Sequence, residues 1–322
     1  MMHRMWLPLL LFVFLCGISR STFGVPNQQL SFNRVEKGQS IKYDYRWYDH
    51  NNKLRHITFE IDKQAIAKLP RNQANYKPAL IQSKIRRDLT RLAKGVDPRK
   101  ARINLQQIGN DLDVSIRSDN PQLINLLHTE FQNQKQLTYD LYLKQHYFEK
   151  FTSSSGANGV KADHIRYIQE FTPVFKEIAE QFYELLGDEK SVRNYIDLLL
   201  SWAQSIPYST LTGRGESNGA GFLPPIRLLD ANMGDCDSKS VLFAALLRNY
   251  LPQAKFQFII LPKHALLGIK TSEQPSDFTV ENNGARLVIM EPTGPAPFGF
   301  GEAAESSKTM IQRGLATFQV IP

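Results

Sequence analysis

Cysteine is nearly absent from this chain: Cys16 and Cys236 are the only two in 322 residues. A disulfide framework is therefore excluded, and a chain of this length can bury its own core without one. Metal-site spacings are missing as well. His128, His146 and His164 belong to no HExxH or paired-cysteine pattern, so neither a metal nor a cofactor is expected. The carboxylates of DLDVSIRSD lack the glycine and the closing glutamate of a calcium loop. The loop GRGESNGAG lacks the GK[ST] ending of a phosphate loop and reads instead as a polar loop beside a cleft. After residue 24 no apolar run approaches the roughly 20 residues that a membrane-spanning helix needs.

The start of the chain is different. Arg4, the run WLPLLLFVFLCGI and the small or polar residues SRSTFG have the layout of a secretory signal peptide over residues 1–24. The mature protein is then expected to be exported, periplasmic or secreted, with an uncleaved membrane anchor as the alternative. Removal of this segment leaves Cys236 as the only thiol, to be explained as buried filler, an intermolecular link or a reactive group.

Charge is unevenly distributed. Residues 25–163 hold 23 basic and 14 acidic side chains, whereas residues 164–322 hold 14 and 17. A basic first half suits an anionic cell-envelope component or stays a solvated face, and export argues against nucleic acid.

Hydrophobic periodicity orders the first half as strand, strand, helix, strand, strand, helix, strand. A hairpin is predicted over 41–62 around Asn51 and Asn52, and a helix over 77–95 with Leu80, Ile81, Ile85, Leu89 and Leu92 at helical spacing. A second hairpin follows in RINLQQIGNDLDVSIRS. Asn120 and Pro121 open a helix to about Lys135, and LTYDLYLKQHYF alternates like a strand. This pattern predicts a small α+β accessory domain, residues 25–151, with helices on one face of a largely antiparallel sheet. The run 152–163, rich in Ser, Gly and Asn, reads as a linker, and 164–322 as a second domain opening with helices near 171–187 and 189–204.

The chemistry of that second domain centres on NMGDCDSKSVLFAALLR. The apolar, helix-forming run after Cys236 predicts a buried helix capped by Asp235, with the thiol in its first turn. Orphan N–H groups there favour a thiolate, whereas Asp235 and Asp237 oppose one; the sequence leaves the balance open. In KFQFIILPKHALLGIK, Phe256–Leu261 and Ala265–Ile269 read as strands buried on both faces, so His264 between them needs a partner or a function. In RLVIMEPTG, Glu291 closes a short strand that Pro292 stops. A thiol, an imidazole and a carboxylate, each at the edge of a regular element, are the parts of an activated nucleophile.

On GDCDSKSVLFAALLR, HALLGI and MEPTG, in that order, the chain resembles the transglutaminase-like superfamily, whose fold is related to papain-like cysteine proteases. SWAQSIPYS and GFLPPIRLLDANMGDC are similar to the family's approach to the cysteine. The resemblance covers roughly residues 170–300 and is of a bacterial exported type. It implies Cys236 as nucleophile, His264 as base and Glu291 as orienting acid, although the family more often carries aspartate in the third role. Asp230 stands where a papain-style glutamine would be, which leaves the Cys236 backbone N–H, Tyr208 and Gln204 as candidate oxyanion donors. The expected fold is α+β, a papain-like, transglutaminase-like catalytic domain behind a small antiparallel α+β domain. The expected function is a thiol-dependent hydrolase, a cysteine peptidase or amidase, acting on a protein or peptide substrate through a thioester. Acyl transfer to amines, or a non-catalytic envelope binding or assembly factor, are the alternatives.

Overall fold

A computed structural model describes residues 28–109, 111–217 and 219–322. The expected signal segment and Cys16 lie outside the described residues. The fold is mixed α+β, and the four sheets among the described residues are antiparallel. None of the helices among the described residues is long and apolar enough to cross a membrane.

Strands β1 (Gln29–Lys37), β2 (Ser40–Tyr48) and β3 (Leu54–Asp62) form the first sheet, with β2 in the centre. The period of two in β2 and β3 buries one face: Ile41, Tyr43, Tyr45 and Trp47 from one strand, Ile57, Phe59 and Ile61 from the other. That face is not the floor of a separate accessory domain. It packs on α4 (Lys176–Glu184) and α5 (Val192–Ser205), with Tyr45 edge-on to Trp202 at 5.4 Å and Trp47 donating Nε1–H to Ser201 Oγ at 3.0 Å. The same hydrophobic cluster continues into α8 (Cys236–Tyr250) and the largest sheet. At roughly 1.5–3 kcal/mol for each fully buried large side chain, these seven residues represent about 10–20 kcal/mol, the scale of a whole domain's stability. The domain boundary read after residue 151 is therefore corrected: β1–β3 belong to the core that carries the thiol.

What stands apart is an insertion with its own core. Helix α1 (Pro78–Lys94), hairpin β4 (Arg102–Ile108) and β5 (Asp111–Arg117), helix α2 (Pro121–Gln145) and β6 (Phe148–Thr152) enclose Ile81, Ile85, Leu89, Leu112, Val114, Phe131 and Tyr142. Asn120 caps α2 by accepting from the N–H groups of Gln122 and Leu123, and Pro121 occupies the first helical position, as its fixed φ favours. The stretch LTYDLYLKQHYF is not a strand: α2 runs through it to Gln145. Phe131, Thr138 and Tyr142 are buried seven and four residues apart, a helical stripe that also alternates over a short window. Tyr147, at φ 56°, turns the chain before β6.

The expected linker 152–163 is likewise corrected, because it contains the turn and second strand of a hairpin, β6 with β7 (Asn158–Ala162). Ser153, Ser154, Ser155, Gly156 and Ala157 form the turn, closed by Ser153 N donating to Ala157 O at 2.9 Å, while Asn158 and Gly159 belong to β7.

The rest of the chain supplies α3 (His164–Phe171), a 3-10 turn (Thr172–Phe175), α4, α5, short α6 (Arg214–Ser217), α7 (Pro225–Ala231) and α8. Strands β8 (Phe256–Leu261), β9 (His264–Ile269), β10 (Thr279–Asn282), β11 (Ala285–Met290) and β12 (Thr317–Ile321) form a sheet in the order β10-β11-β9-β8-β12, with α9 (Glu305–Gln312) before the last strand. Phe256, Phe258, Leu267 and Met290 face the α8 core, and Ile259, Leu261, Leu266 and Ile289 face a separate cluster with Ala303 and Ile311. Covering on both faces explains the nearly continuous apolar runs of β8 and β9.

Candidate active site

Helix α8 starts at Cys236. Asp235 sits just outside it in extended conformation and accepts from Ser238 N at 2.9 Å, the N-cap bond that fixes where the helix begins. The chain before it is held by a short parallel bridge between Tyr208 and Gly234, with Gly234 N donating to Pro207 O and Ser209 N donating to Gly234 O. This pairing brings Tyr208, 47% exposed, beside the thiol. Burial, followed by the negative charges it would meet at Cys236, Asp235 and Asp237, pushes its phenol upward.

His264 is the first residue of β9, delivered by a tight turn in which Lys263 adopts φ 66°. Its Nε2–H donates to Glu291 Oε1 at 2.9 Å. Strands β9 and β11 are hydrogen-bonded neighbours, with Met290 opposite Leu267, so the residue after β11 projects toward the start of β9. Glu291 is buried, and its second oxygen accepts from Ala304 N at 3.0 Å. With Nε2 engaged, Nδ1 is the ring nitrogen left to receive a proton. The Cys236 sulfur lies against the backbone N–H of Ala265, the residue adjoining His264. His264 and Glu291 thus meet at one end of the large sheet, and the Cys236 sulfur reaches the residue next to His264.

The surroundings of the thiol disfavour a thiolate. Burial, then the charges of Asp237 and Asp235, raise its pKa strongly, and Sγ–H donates to Asp237 Oδ1 at 3.4 Å. A helix N-terminus is worth about 0.3–1 kcal/mol to an anion in its first turn, too little to offset desolvation and two carboxylates. Asp235 itself is pushed up to about 7 by burial and by Asp237.

Gln204 is corrected as an oxyanion donor. It is 1% exposed, and its Nε2 donates to Glu291 O at 2.9 Å and Phe298 O at 2.7 Å, while Oε1 accepts from His50 Nε2 at 2.9 Å. Its amide therefore anchors the loop that carries Glu291. Gly294 passes so close to the Gln204 backbone that a Cβ there would clash with it, and at φ 60° only glycine is unstrained. Asp230, which takes the place of a papain-style glutamine, faces the first sheet: Arg34 Nε and Tyr43 Oη each donate to its Oδ1 at 2.7 Å.

Sequence reasoning missed three neighbours. Lys239 is wholly buried, and its Nζ donates to Ile206 O and Thr293 O, tying α8 to the end of α5 and to the loop after Glu291. Burial lowers its pKa to about 7. The other two are His50, on the β2–β3 turn, and His164, which lies 3.5 Å from Asp237. Only the position of Lys239 on the apolar stripe of α8 hinted at burial. A cleft of about 510 Å³ opens beside His264 and Glu291, lined also by Thr293, Pro295, Phe298 and Met310, large enough for a side chain of a peptide.

Compared with family models, with curated proteins and with solved structures, the chain matches none.

Proposed function

We propose that this chain is an exported thiol-dependent hydrolase, a cysteine peptidase or amidase with a papain-like, transglutaminase-like catalytic core. The observation that carries the reading is the convergence of Cys236 at a helix start, His264 on the neighbouring strand and Glu291 holding the imidazole at 2.9 Å. The sequence motifs GDCDSKS, HALLGI and MEPTG supply the same three residues in the order that the superfamily uses.

In this reading His264 Nδ1 takes the thiol proton as sulfur attacks a peptide or carboxamide carbonyl, and Glu291 stabilises the imidazolium. The backbone N–H of Cys236 and the hydroxyl of Tyr208 receive the developing oxyanion. The imidazolium returns its proton to the departing amine, leaving a thioester at Cys236. His264 then activates a water that releases the acid and restores the thiol. Acyl transfer to an amine shares every step up to the thioester.

Neutral-pH alkylation of Cys236 in wild type and His264→Ala, with peptide hydrolysis and labelled-amine uptake by wild type and Cys236→Ala, tests the proposal. We expect alkylation that depends on His264 and hydrolysis that depends on Cys236. Alkylation indifferent to His264 would remove the reading, and amine uptake with little hydrolysis would replace the hydrolase by an acyltransferase.

A binding role for the insertion is favoured by a specific observation. Arg86, Arg87, Arg91 and Lys94 are exposed on α1, and the exposed Arg102 and Arg117 stand directly opposite each other in the β4–β5 register. Like charges so placed cost stability, and an anionic cell-envelope component would relieve the repulsion. Retention on anionic envelope polymer that weakens with salt, and fails in an Arg102→Ser/Arg117→Ser variant, is the expected outcome.

A further inference from the structure

The thiol proton has a second acceptor that the Cys–His–Glu reading does not use. Sγ–H points at Asp237 Oδ1, 3.4 Å away, and the other oxygen of that carboxylate lies 3.5 Å from His164 Nε2. On the far side of the ring, His164 Nδ1 faces Lys161 Nζ at 3.3 Å. An ammonium only donates, so Nδ1 accepts, and the proton of a neutral imidazole sits on Nε2, directed at Asp237. Neutrality follows from burial: His164 is 2% exposed, its ring lies within 5.1 Å of Phe222 and 4.9 Å of Phe258, and desolvation drives its pKa well down. Lys161 is fixed in turn by the carboxylate of Glu149 and by Ala162 O at 3.2 Å. The series Cys236, Asp237, His164, Lys161, Glu149 therefore runs from the helix start, through α3, into the β6–β7 hairpin.

We infer that Asp237, positioned by the N–H of neutral His164, is the resting proton partner of Cys236, so that the nucleophile is stored as a thiol aimed at a carboxylate. Reaction requires rotation about the Cβ–Sγ bond. The S–H bond leaves Asp237 Oδ1, turns to His264 Nδ1 and breaks there; the proton becomes the second ring proton of an imidazolium and the electron pair stays on sulfur. No further reactant enters. Asp237 and His164 are positioning residues in this scheme. The inference takes from the proposed function only the role of His264. The charged or titratable groups facing the thiol are Asp235 and Asp237 on α8 and Tyr208 on the bridged segment, and those facing Asp237 are Cys236, Asp235, Tyr208, His164, Lys161 and His264.

The test is the pH profile of iodoacetamide alkylation of the intact protein, read by mass spectrometry on variants checked for native melting. Asp237→Asn removes the charge and leaves only a neutral amide oxygen as acceptor, and should shift the profile to lower pH by at least one unit, about a tenfold gain in rate near neutrality. Asp237→Glu should stay slow. His164→Phe keeps the ring packing but removes the donor, and should also displace the profile, whereas His164→Gln, which retains an N–H donor, should stay near wild type. An unchanged profile in both Asp237→Asn and His164→Phe overturns the inference, even where His264→Ala still slows alkylation and the proposed function stands. Acceleration in Asp237→Asn with no effect of His264→Ala upholds Asp237 as the resting partner of the thiol while removing the transfer to His264 and with it the catalytic reading. Should Asp237→Asn fail to fold, Asp237→Ser makes the same removal with a smaller side chain.

Discussion

His264 Nε2 and Glu291 Oε1 stand 2.9 Å apart, and the same carboxylate reaches Ala304 N with its other oxygen at 3.0 Å. One side chain thus joins the start of β9 to the residue before α9. The extra methylene of glutamate, where aspartate is more usual in the resembled family, spans these two bonds.

Glu291→Gln keeps the volume but loses the charge that favours imidazolium, and its amide has one accepting oxygen for two donors, His264 Nε2–H and Ala304 N–H. We expect His264-dependent alkylation and any hydrolysis to fall by about 10²–10⁴-fold. Glu291→Asp should hold one bond and lose the other, with a fall of about tenfold. A Gln variant with wild-type rates at neutral pH would show that the contact does not govern reactivity.

Gln204 should act through Glu291. Gln204→Leu leaves the carbonyls of Glu291 and Phe298 without their buried donor, at about 1–3 kcal/mol for each unsatisfied group. Melting should drop by several degrees and alkylation should slow without a change in its pH midpoint. His50→Asn, at a half-buried position whose ring meets only Oε1 of that amide in this network, should give a smaller loss in the same direction.

Asp235 supplies a signed pH test. Its folded pKa is about 7 against an ordinary aspartate value of 3.8, so its contribution is intact below about 4 and is lost as pH rises through 7. Lys239 runs the other way: with its pKa lowered from 10.5 to about 7, its contribution is present above about 10.5 and lost as pH falls through 7. Both costs overlap near neutrality. Asp235→Ser retains a capping oxygen and should abolish the acid-side term, so that wild type loses on the order of a few kcal/mol more than the variant between about pH 4 and pH 7. Parallel urea-unfolding curves at both pH values would refute this.

The parts of the site that were legible in the sequence are those written in short-range chemistry. Asp235 capping the run after Cys236, the apolar strands flanking His264, and Pro292 ending the strand before Glu291 each sit within a few residues of what they determine. Strand β1 was not legible, because Arg34 finds its partner at Asp230, far along the chain, and the strand's own alternation is weak. His50, Gln204 and His164 owe their places to contacts across 73 residues or more, which no window contains. The alternation of Tyr43, Tyr45 and Trp47 announced one buried face but not that the face meets Trp202 and Phe182.

That last ambiguity leads to a direct comparison of two aromatic truncations. Phe131 belongs to the core of the insertion, whereas Trp47 packs on Phe182 and bonds Ser201 within the core that holds Cys236. Each truncation to alanine should cost about 3–5 kcal/mol, but in different places. Phe131→Ala should accelerate hydrogen exchange in α1, β4, β5 and α2 while leaving the Cys236 alkylation profile unchanged. Trp47→Ala should loosen α4, α5 and α8 together and open Cys236 to His264-independent alkylation. If the Trp47 variant instead frayed only β1–β3, with α5 and α8 as protected as in wild type, the first sheet would be an appendage after all.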